Sequence, residues 1–213
     1  MIPGYHDNAR RDVLPWLPAK AKCCFDLGCG AGGTLNLLKD KYPDVWLSGL
    51  EMDPASAQKA RGIANEIWCA DANKFDFSAH IEPDSLDLIL CLDVLEHLVD
   101  PWSVVKKLSP LLRKDGRLIT SLPNIRYHKL IKTLAVDGDF TYTDEGLMDR
   151  THLRFFVRKT AEQLVTCGGL NLKSVSPATP IKTNGLKGIA NRLLGGRLND
   201  LLTLQYMLVA EQN

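Results

Sequence analysis

Five times in the first 125 residues a short apolar run ends in a glycine, proline or aspartate break. The runs are Ala21–Phe25, Val45–Leu50, Ile67–Ala70, Ser85–Leu92 and Arg117–Leu122. Runs this short, bounded by turn residues, read as buried strands. Helices are expected between them, at Thr34–Lys39, at Pro54–Gly62 with proline in the first turn, and from Asp100-Pro101 to about Leu112. Lys114-Asp115-Gly116 is expected to stop the third. Such regular alternation predicts an α/β fold built on a doubly wound, mostly parallel sheet. Arg158–Cys167 reads as the last core helix, with Gly168-Gly169 as its C-cap. Leu170–Val175 and Leu202–Ala210 then read as two further strands, for seven in all.

Three stretches break the alternation. Residues 1–20 form a polar lead-in containing Tyr5, Arg10 and Trp16. Residues 125–156 open with a helix near Tyr127–Leu134. They continue as a polar and aromatic mixture with neither a helical nor a strand period, the signature of a functional loop. Residues 177–200 are longer than a hairpin between two strands requires. Within Leu186–Leu202 the apolar positions Leu186, Ile189, Leu193 and Leu194 fall at helical spacing, with Lys187 and Arg192 off the stripe. Gly195-Gly196 is expected to divide it into two short helices.

Length, 213 residues, suits one domain spanning 1–213. A hydrophobic content of 45% with 24% charge is ordinary for a soluble globular chain. No apolar run approaches the ~18 residues of a membrane span, and no apolar block follows Arg10-Arg11 as in a signal peptide. A cytoplasmic protein is expected. The six cysteines form no C-x-x-C pair, and Cys23, Cys24, Cys69 and Cys91 sit in apolar runs, so neither a zinc framework nor disulfides are indicated. The net charge of +1 conceals an asymmetry: residues 1–105 carry nine Lys/Arg against sixteen Asp/Glu, and residues 106–213 carry seventeen against nine. The later half is therefore expected to meet something anionic.

The chemistry centres on Asp26-Leu27-Gly28-Cys29-Gly30-Ala31-Gly32-Gly33, between the first strand and the first helix. Its glycines permit positive φ and close approach of a ligand, and a helix N-terminus is a natural seat for an anionic group. Gly28, Gly30 and Gly33 satisfy G-x-G-x-x-G, which keeps a nicotinamide-binding turn in view. Glu51, at the tip of the second strand, stands where a carboxylate accepts ribose hydroxyls, and Met52 beside it offers a polarizable face for adenine. Both readings contain that ribose. Asp26, two residues before the first glycine, is placed to meet a cationic group instead.

The string resembles the D-x-G-x-G-x-G motif of class I S-adenosylmethionine methyltransferases. That resemblance covers residues 20–175 and implies a Rossmann-like sheet closed by an antiparallel terminal strand. It implies cofactor contacts at Asp26, Gly28, Cys29, Gly30, Glu51, Met52, Asp71, Ala72 and Cys91, with Asp71 near the adenine amino group. Tyr5 and Arg10 become lid residues over the cofactor. Asp93-Val94-Leu95-Glu96-His97-Leu98 is similar to the strand-four ending of small-molecule methyltransferases of the ubiquinone and sugar type. In a helix Asp93 and His97 would share one face. Gly138-Asp139-Phe140-Thr141-Tyr142 followed by Asp149-Arg150-Thr151-His152-Leu153-Arg154-Phe155-Phe156 resembles bacterial methyltransferases of sugar and surface-polysaccharide pathways.

The expected activity is methyl transfer from S-adenosylmethionine, with S-adenosylhomocysteine as product, to a small-molecule hydroxyl. A sugar hydroxyl needs a positioned base. His152 is the first candidate and His97 the second, with Asp149 to orient His152 and with Tyr142, Arg154 and Tyr5 to bind the acceptor. The basic 177–200 insertion suggests a phosphate-bearing acceptor, with peripheral membrane contact as an option. Outside these residues no acidic or histidine cluster has ligand spacing, so no metal is expected. There is no Asn-Pro-Pro-Tyr-like or catalytic Pro-Cys motif and no basic–aromatic interleaving, which argues against nucleic acid. Two alternatives remain: an NAD-dependent oxidoreductase, though no Tyr-x-x-x-Lys motif is present, and a non-catalytic S-adenosylmethionine-binding module.

Overall fold

The computed structural model describes residues 9–181 and 185–213. Seven strands form one sheet in the order β3-β2-β1-β4-β5-β7-β6. They are β1 (Cys23–Leu27), β2 (Trp46–Glu51), β3 (Glu66–Cys69), β4 (Leu86–Leu92), β5 (Leu112–Pro123), β6 (Asn171–Pro177) and β7 (Gln205–Glu211). β1 to β5 pair in parallel, whereas β7 runs antiparallel to both β5 and β6. Helices α1 (Gly33–Lys41), α2 (Pro54–Ala60), α3 (Pro101–Leu108) and α5 (Arg158–Thr166) cover the sheet. The expected doubly wound architecture is what forms.

Side-chain alternation on the strands feeds two cores. Leu88 and Leu90 of β4, Ile119 of β5 and Met207 and Val209 of β7 join Leu35 and Leu38 of α1 on one face. Ile89, Cys91, Leu118, Tyr206 and Leu208 join Val104 and Leu108 of α3 and Leu164 of α5 on the other. All seven residues of β4 are buried, so its one acid needs partners. Asp87 accepts from the N–H groups of Lys22 (2.7 Å) and Cys23 (2.9 Å) and pairs with Arg113. That carboxylate fixes where β1 begins beside β4.

The third helix is shorter than expected. α3 ends at Leu108, a 3-10 turn covers Ser109–Leu111, and β5 starts at Leu112. Lys114-Asp115-Gly116 therefore lies inside a strand. Asp115 takes a left-handed φ of 61°, and its N–H bonds Gln212 while Gly116 O accepts from Gln212 N–H. A local kink, rather than a helix stop, uses these turn residues.

The interruptions gather beyond the C-terminal end of β5. α4 (His128–Lys132) continues as one π-turn over Thr133–Asp137. α6 (Leu186–Leu193) and α7 (Asn199–Leu202) are the two short helices expected of the late insertion, separated by Gly195 and Gly196 at positive φ. Buried Asn124 anchors this region: its amide donates to Asp200 O (2.7 Å) and Thr203 O (2.8 Å), and its Oδ1 accepts from Arg126 N–H (3.0 Å). Ile189 and Leu193 of α6 are exposed, Leu193 by 82%, so these two positions of the stripe do not pack on the sheet. No helix among the described residues is long and apolar enough to cross a membrane.

β2 approaches the glycine turn so closely that a Cβ on Gly49 would lie 2.9 Å from Cys29 Sγ and 3.1 Å from Asp26 O. Gly49→Ala is expected to destabilise the fold by about 1–3 kcal/mol, the cost of overpacking a filled core. Urea unfolding measures it, and adding Cys29→Ala to that variant should recover part of the loss. A neutral Gly49→Ala would show that the turn yields.

Candidate active site

The parallel strands point their C-terminal ends to one edge, and the glycine turn opens there. Gly28, Gly30 and Gly32 take φ of 73°, 55° and 88°, whereas Gly33 is the first residue of α1. The left-handed glycines thus recur at every second position, as D-x-G-x-G-x-G requires, and not at the spacing of G-x-G-x-x-G. Side chains have no room here: a Cβ on Gly28 would lie 3.0 Å from Val94 Cγ2, and one on Gly32 2.9 Å from Ile63 Cδ1.

The turn is not the anion seat that its place before a helix suggests. The N–H groups of Gly28 and Cys29 donate to Leu50 O (2.8 and 3.2 Å), that of Gly32 to Cys29 O (3.0 Å), and that of Gly30 to Glu51 Oε2 (2.8 Å). Glu51 Oε1 accepts from Asp53 N–H (2.8 Å). Two buried carboxyls, Asp26 and Glu51, thus line the place where a pyrophosphate would need donors. This arrangement opposes a dinucleotide and suits a cationic ligand group. Burial, and then Glu51, pushes the Asp26 pKa up to about 8 against the pull of Arg10.

Around this turn the expected cofactor residues divide. Met52 is 71% exposed beside Glu51. Asp71 lies at the end of β3, its Oδ1 accepting from Asn73 N–H (2.9 Å) and Nδ2 (2.8 Å), and these bonds hold its pKa below the usual range. Ala72 follows it, half-buried. Cys29 is buried, so only its backbone faces the turn. The Cys91 side chain lies within the core, fully buried, and its carbonyl accepts from Thr120 Oγ1 (2.7 Å), so only its backbone is placed to meet a cofactor.

Arg10 closes over the strand ends. Its guanidinium is bidentate to Asp12 (2.9 and 2.8 Å) and reaches Asp93 and Ser121, while its N–H bonds Thr34 Oγ1 (3.2 Å). Tyr5 lies outside the described residues. Asp93, at a left-handed φ of 55°, accepts from Arg10, Ser121 and Gln205. The chain then makes a 3-10 turn over Leu95–His97 rather than an α-helix, so Asp93 and His97 do not share a face. Asp93 looks toward Arg10, and His97 toward the 125–156 loop.

That loop is pinned to the turn by Glu96, whose carbonyl accepts from Leu153 N–H (2.9 Å) and Arg154 N–H (3.0 Å). The Arg154 guanidinium bonds the carbonyls of Leu153 and Val99, a bracing role beside the acceptor role expected. The rings of His97 and His152 meet edge to face at 4.7 Å. Nδ1 of His97 bonds Thr151 O (3.2 Å) and Oγ1 (3.1 Å), and Nδ1 of His152 bonds Leu147 O (3.3 Å). Nδ1–H donation to a carbonyl leaves Nε2 of each ring with its lone pair. Burial, and then His152, lowers the His97 pKa, favouring the neutral ring.

Asp149 touches both histidine-bearing segments, its carbonyl accepting from His152 N–H (3.0 Å). Its carboxylate accepts from Thr151 N–H (2.8 Å) and Oγ1 (2.6 Å), and Thr151 in turn contacts His97. The orienting relay therefore runs Asp149–Thr151–His97, and His152 is oriented by Leu147. Tyr142, Phe140 and Phe155 follow in ring contact, with Phe155 6.5 Å from His152. An aromatic path thus leads from exposed Tyr142 to the histidine pair.

Sequence reasoning passed over Glu96. It is 1% exposed, and its Oε2 has no hydrogen-bond partner among the described residues. Burial, and then Asp93, raises its pKa well above the usual carboxylate range. An acid between Leu95 and His97 in an otherwise apolar run was the available signal. With His97 and His152 it brings three potential metal-ligating atoms within 4.8 Å of one another, a set not expected from spacing.

The chain matches the family described as "Methyltransferase domain" over residues 5–175, and it belongs to that family. It is 30% identical over 131 residues to the trans-aconitate 2-methyltransferase of Methylobacterium radiotolerans, covering 60% of this chain and 49% of that one. To the ubiquinone biosynthesis O-methyltransferase of Neisseria meningitidis serogroup C it is 29% identical over 109 residues, 49% of this chain and 45% of the relative. The chain thus spans about half the length of these curated relatives. An S-adenosylmethionine-dependent methyltransferase structure from Mesorhizobium loti superposes with a TM-score of 0.64 at 16% identity, over 97% of this chain and 100% of that one. One from Archaeoglobus fulgidus gives 0.65 at 15%, over 95% and 92%. The fold is that of the class I S-adenosylmethionine-dependent methyltransferases.

Asp26 links the site to stability. Its proton is held in the folded protein up to about pH 8 but is lost near pH 4 when unfolded. Between those values the folded chain binds more protons, so the wild type loses stability as pH rises through that window. Asp26→Asn lacks this loss and should melt higher at pH 8, by ~2–4 °C for each kcal/mol gained at this chain length. The gain should shrink toward pH 4. A gain independent of pH would show that Asp26 does not titrate in this way.

Proposed function

We propose that this chain is an S-adenosylmethionine-dependent O-methyltransferase acting on a small-molecule hydroxyl. The observation that carries the reading is two neighbouring histidines, each with Nδ1 tied to a carbonyl and Nε2 free, beside a carboxylate-lined glycine turn. The residues fit the cofactor that the family implies. Gly28, Gly30 and Gly32 leave the backbone bare for a ligand to approach, and buried Asp26 would meet the ligand's ammonium. Glu51 would accept from the ribose hydroxyls, Met52 and Ala72 would flank the adenine, and Asp71 would meet its amino group. When bound, S-adenosylmethionine supplies a methyl group on a cationic sulfonium and leaves as S-adenosylhomocysteine.

The chain's own task is to align the acceptor, exclude water and take its proton. His152 receives that proton on Nε2, with His97 held beside it by the Asp149–Thr151 relay. Tyr142, Phe140 and Phe155 guide the acceptor inward, and Arg10 covers the opening. A phosphate-bearing acceptor is favoured by the basic later half of the chain, although in the cleft lined by Arg126, Arg158, Lys159, Glu162 and Asp200 both arginines already pair with the acids. An NAD-dependent oxidoreductase is disfavoured because the turn's amides are engaged and its walls are acidic. A binding module without catalysis would need no paired, oriented histidines.

Calorimetry should show binding of S-adenosylhomocysteine and none of NAD. Glu51→Ala should weaken the former by ~1.5–3 kcal/mol, the range for hydrogen bonds to a charged group; unchanged affinity in a folded variant would remove Glu51 from the ribose site.

Radiolabelled methyl transfer over sugar nucleotides, lipid-linked sugars and phenols identifies the acceptor class. On that acceptor His152→Ala should reduce turnover by roughly 10²–10⁴-fold and leave S-adenosylhomocysteine affinity within error. Added salt should raise the acceptor KM if phosphate is recognised. Full turnover by His152→Ala would sink the assignment.

A further inference from the structure

We infer that Glu96, His97 and His152 form a binding site for one divalent first-row transition-metal ion, which takes the acceptor's hydroxyl oxygen at an open coordination position. The inference rests on the methyl-transfer reading for the acceptor only; the ion site stands on its own geometry.

Three independent features define the site. The first is the donor set: one carboxylate and two imidazoles offer ligand atoms within 4.8 Å of one another. Two ligands at ~2.1 Å from one ion are at most ~4.2 Å apart, so binding draws the set together by on the order of an ångström. His152 sits in the 125–156 loop and can supply that movement. Two nitrogens and one carboxylate oxygen suit zinc, manganese, iron or cobalt better than magnesium or calcium, which prefer all-oxygen shells. Three protein ligands with positions left open mark catalytic rather than structural sites.

The second is the support behind each ligand. Metal-binding histidines donate their other ring N–H to a carbonyl or carboxylate, which fixes tautomer and ring orientation. Both histidines here do so: His97 Nδ1 meets Thr151 O and Oγ1, and His152 Nδ1 meets Leu147 O. The Asp149 carboxylate completes the relay behind Thr151 at 2.6 Å. A lone base needs one such ring; the structure prepares two.

The third is Glu96 itself. It is 1% exposed, and Oε2 has no partner among the described residues. A buried polar atom left unpaired costs free energy comparable to a lost hydrogen bond or more. Its neighbours do not relieve it, since Arg10 is engaged by Asp12 and Asp93. An ion bridging Glu96 to the two imidazoles removes that cost. It would also lower the pKa of a bound hydroxyl, as metal-bound water shows, so that proton removal no longer rests on one histidine alone.

The test is titration of chelator-stripped protein with cobalt(II), manganese(II) and zinc(II), by calorimetry and, for cobalt, by its visible ligand-field absorption. At least one ion should bind at one per chain. His97→Ala and His152→Ala should each weaken it by tenfold or more. Thr151→Val, a positioning change, should weaken it less and alter the cobalt spectrum. Circular dichroism establishes that each variant is folded, and the exposed position of Thr151 makes that variant the safest. Failure of all three ions to bind folded wild type overturns the proposal, as does binding unaltered in the His97→Ala/His152→Ala double variant. Turnover should fall at least tenfold on stripping and return with the ion; full turnover by metal-free enzyme overturns the acceptor role. Cobalt binding requires no cofactor, so loss of S-adenosylhomocysteine binding would count against the methyltransferase reading and not against the ion site.

Discussion

The parallel pairing of β1, β2 and β4 is the constraint on which the site depends. It aligns three strand ends on one edge, and each strand ends in acid: Asp26 before the turn, Glu51 at the tip of β2, and Asp93 with Glu96 just after β4. Gathering these carboxyls at a partly dry edge is unfavourable, and the structure answers each in a different way. Glu51 takes two backbone donors, and Asp93 takes Arg10, Ser121 and Gln205. Asp26 holds its proton to about pH 8. Glu96 keeps an oxygen with no partner among the described residues. Asp26 and Glu96, the two acids whose pKa burial raises, face the places where ligands are proposed, which is where unfavourable burial is expected to be retained for function.

The same edge separates binding from chemistry. The glycine turn, Glu51 and Asp71 arise from β1 to β3, whereas His97 follows β4 and His152 comes from the insertion after β5. Main-chain bonds from Leu153 and Arg154 to Glu96 O join the halves. A loop whose tip carries exposed Phe140 and Tyr142 is therefore fixed at its base, where geometry matters, and free at its entrance. Arg10 makes a comparable bridge from the lead-in segment, crossing to Asp93 and Ser121 at the ends of β4 and β5.

Residue types alone made much of this legible. Short apolar runs broken by glycine and proline determined the alternation of strand and helix, because periodicity and turn chemistry are local. The seven-stranded sheet, the D-x-G-x-G-x-G turn with its three left-handed glycines, and the pair of short helices divided at Gly195-Gly196 all follow from such local rules. The bounds of α3 and β5 did not. Lys114-Asp115-Gly116 has the composition of a helix stop, yet β7 pairs alongside it, and a long-range backbone bond overrides a local preference.

What tertiary structure alone decided is which groups meet. Asp149 lies three residues from His152 in sequence but orients His97 through Thr151, since the loop folds back on the post-β4 turn. Cys91 adjoins the site in sequence yet faces the core, because strand alternation sends it there. The amides of the glycine turn look free in sequence and are engaged, because Leu50 and Glu51 of a neighbouring strand reach them. Glu96 joined His97 and His152 only when residues 54 or more positions apart were brought into contact. The sequence by itself determined the elements and the chemistry available; the third dimension decided which lone pairs were already used and which were left for a ligand.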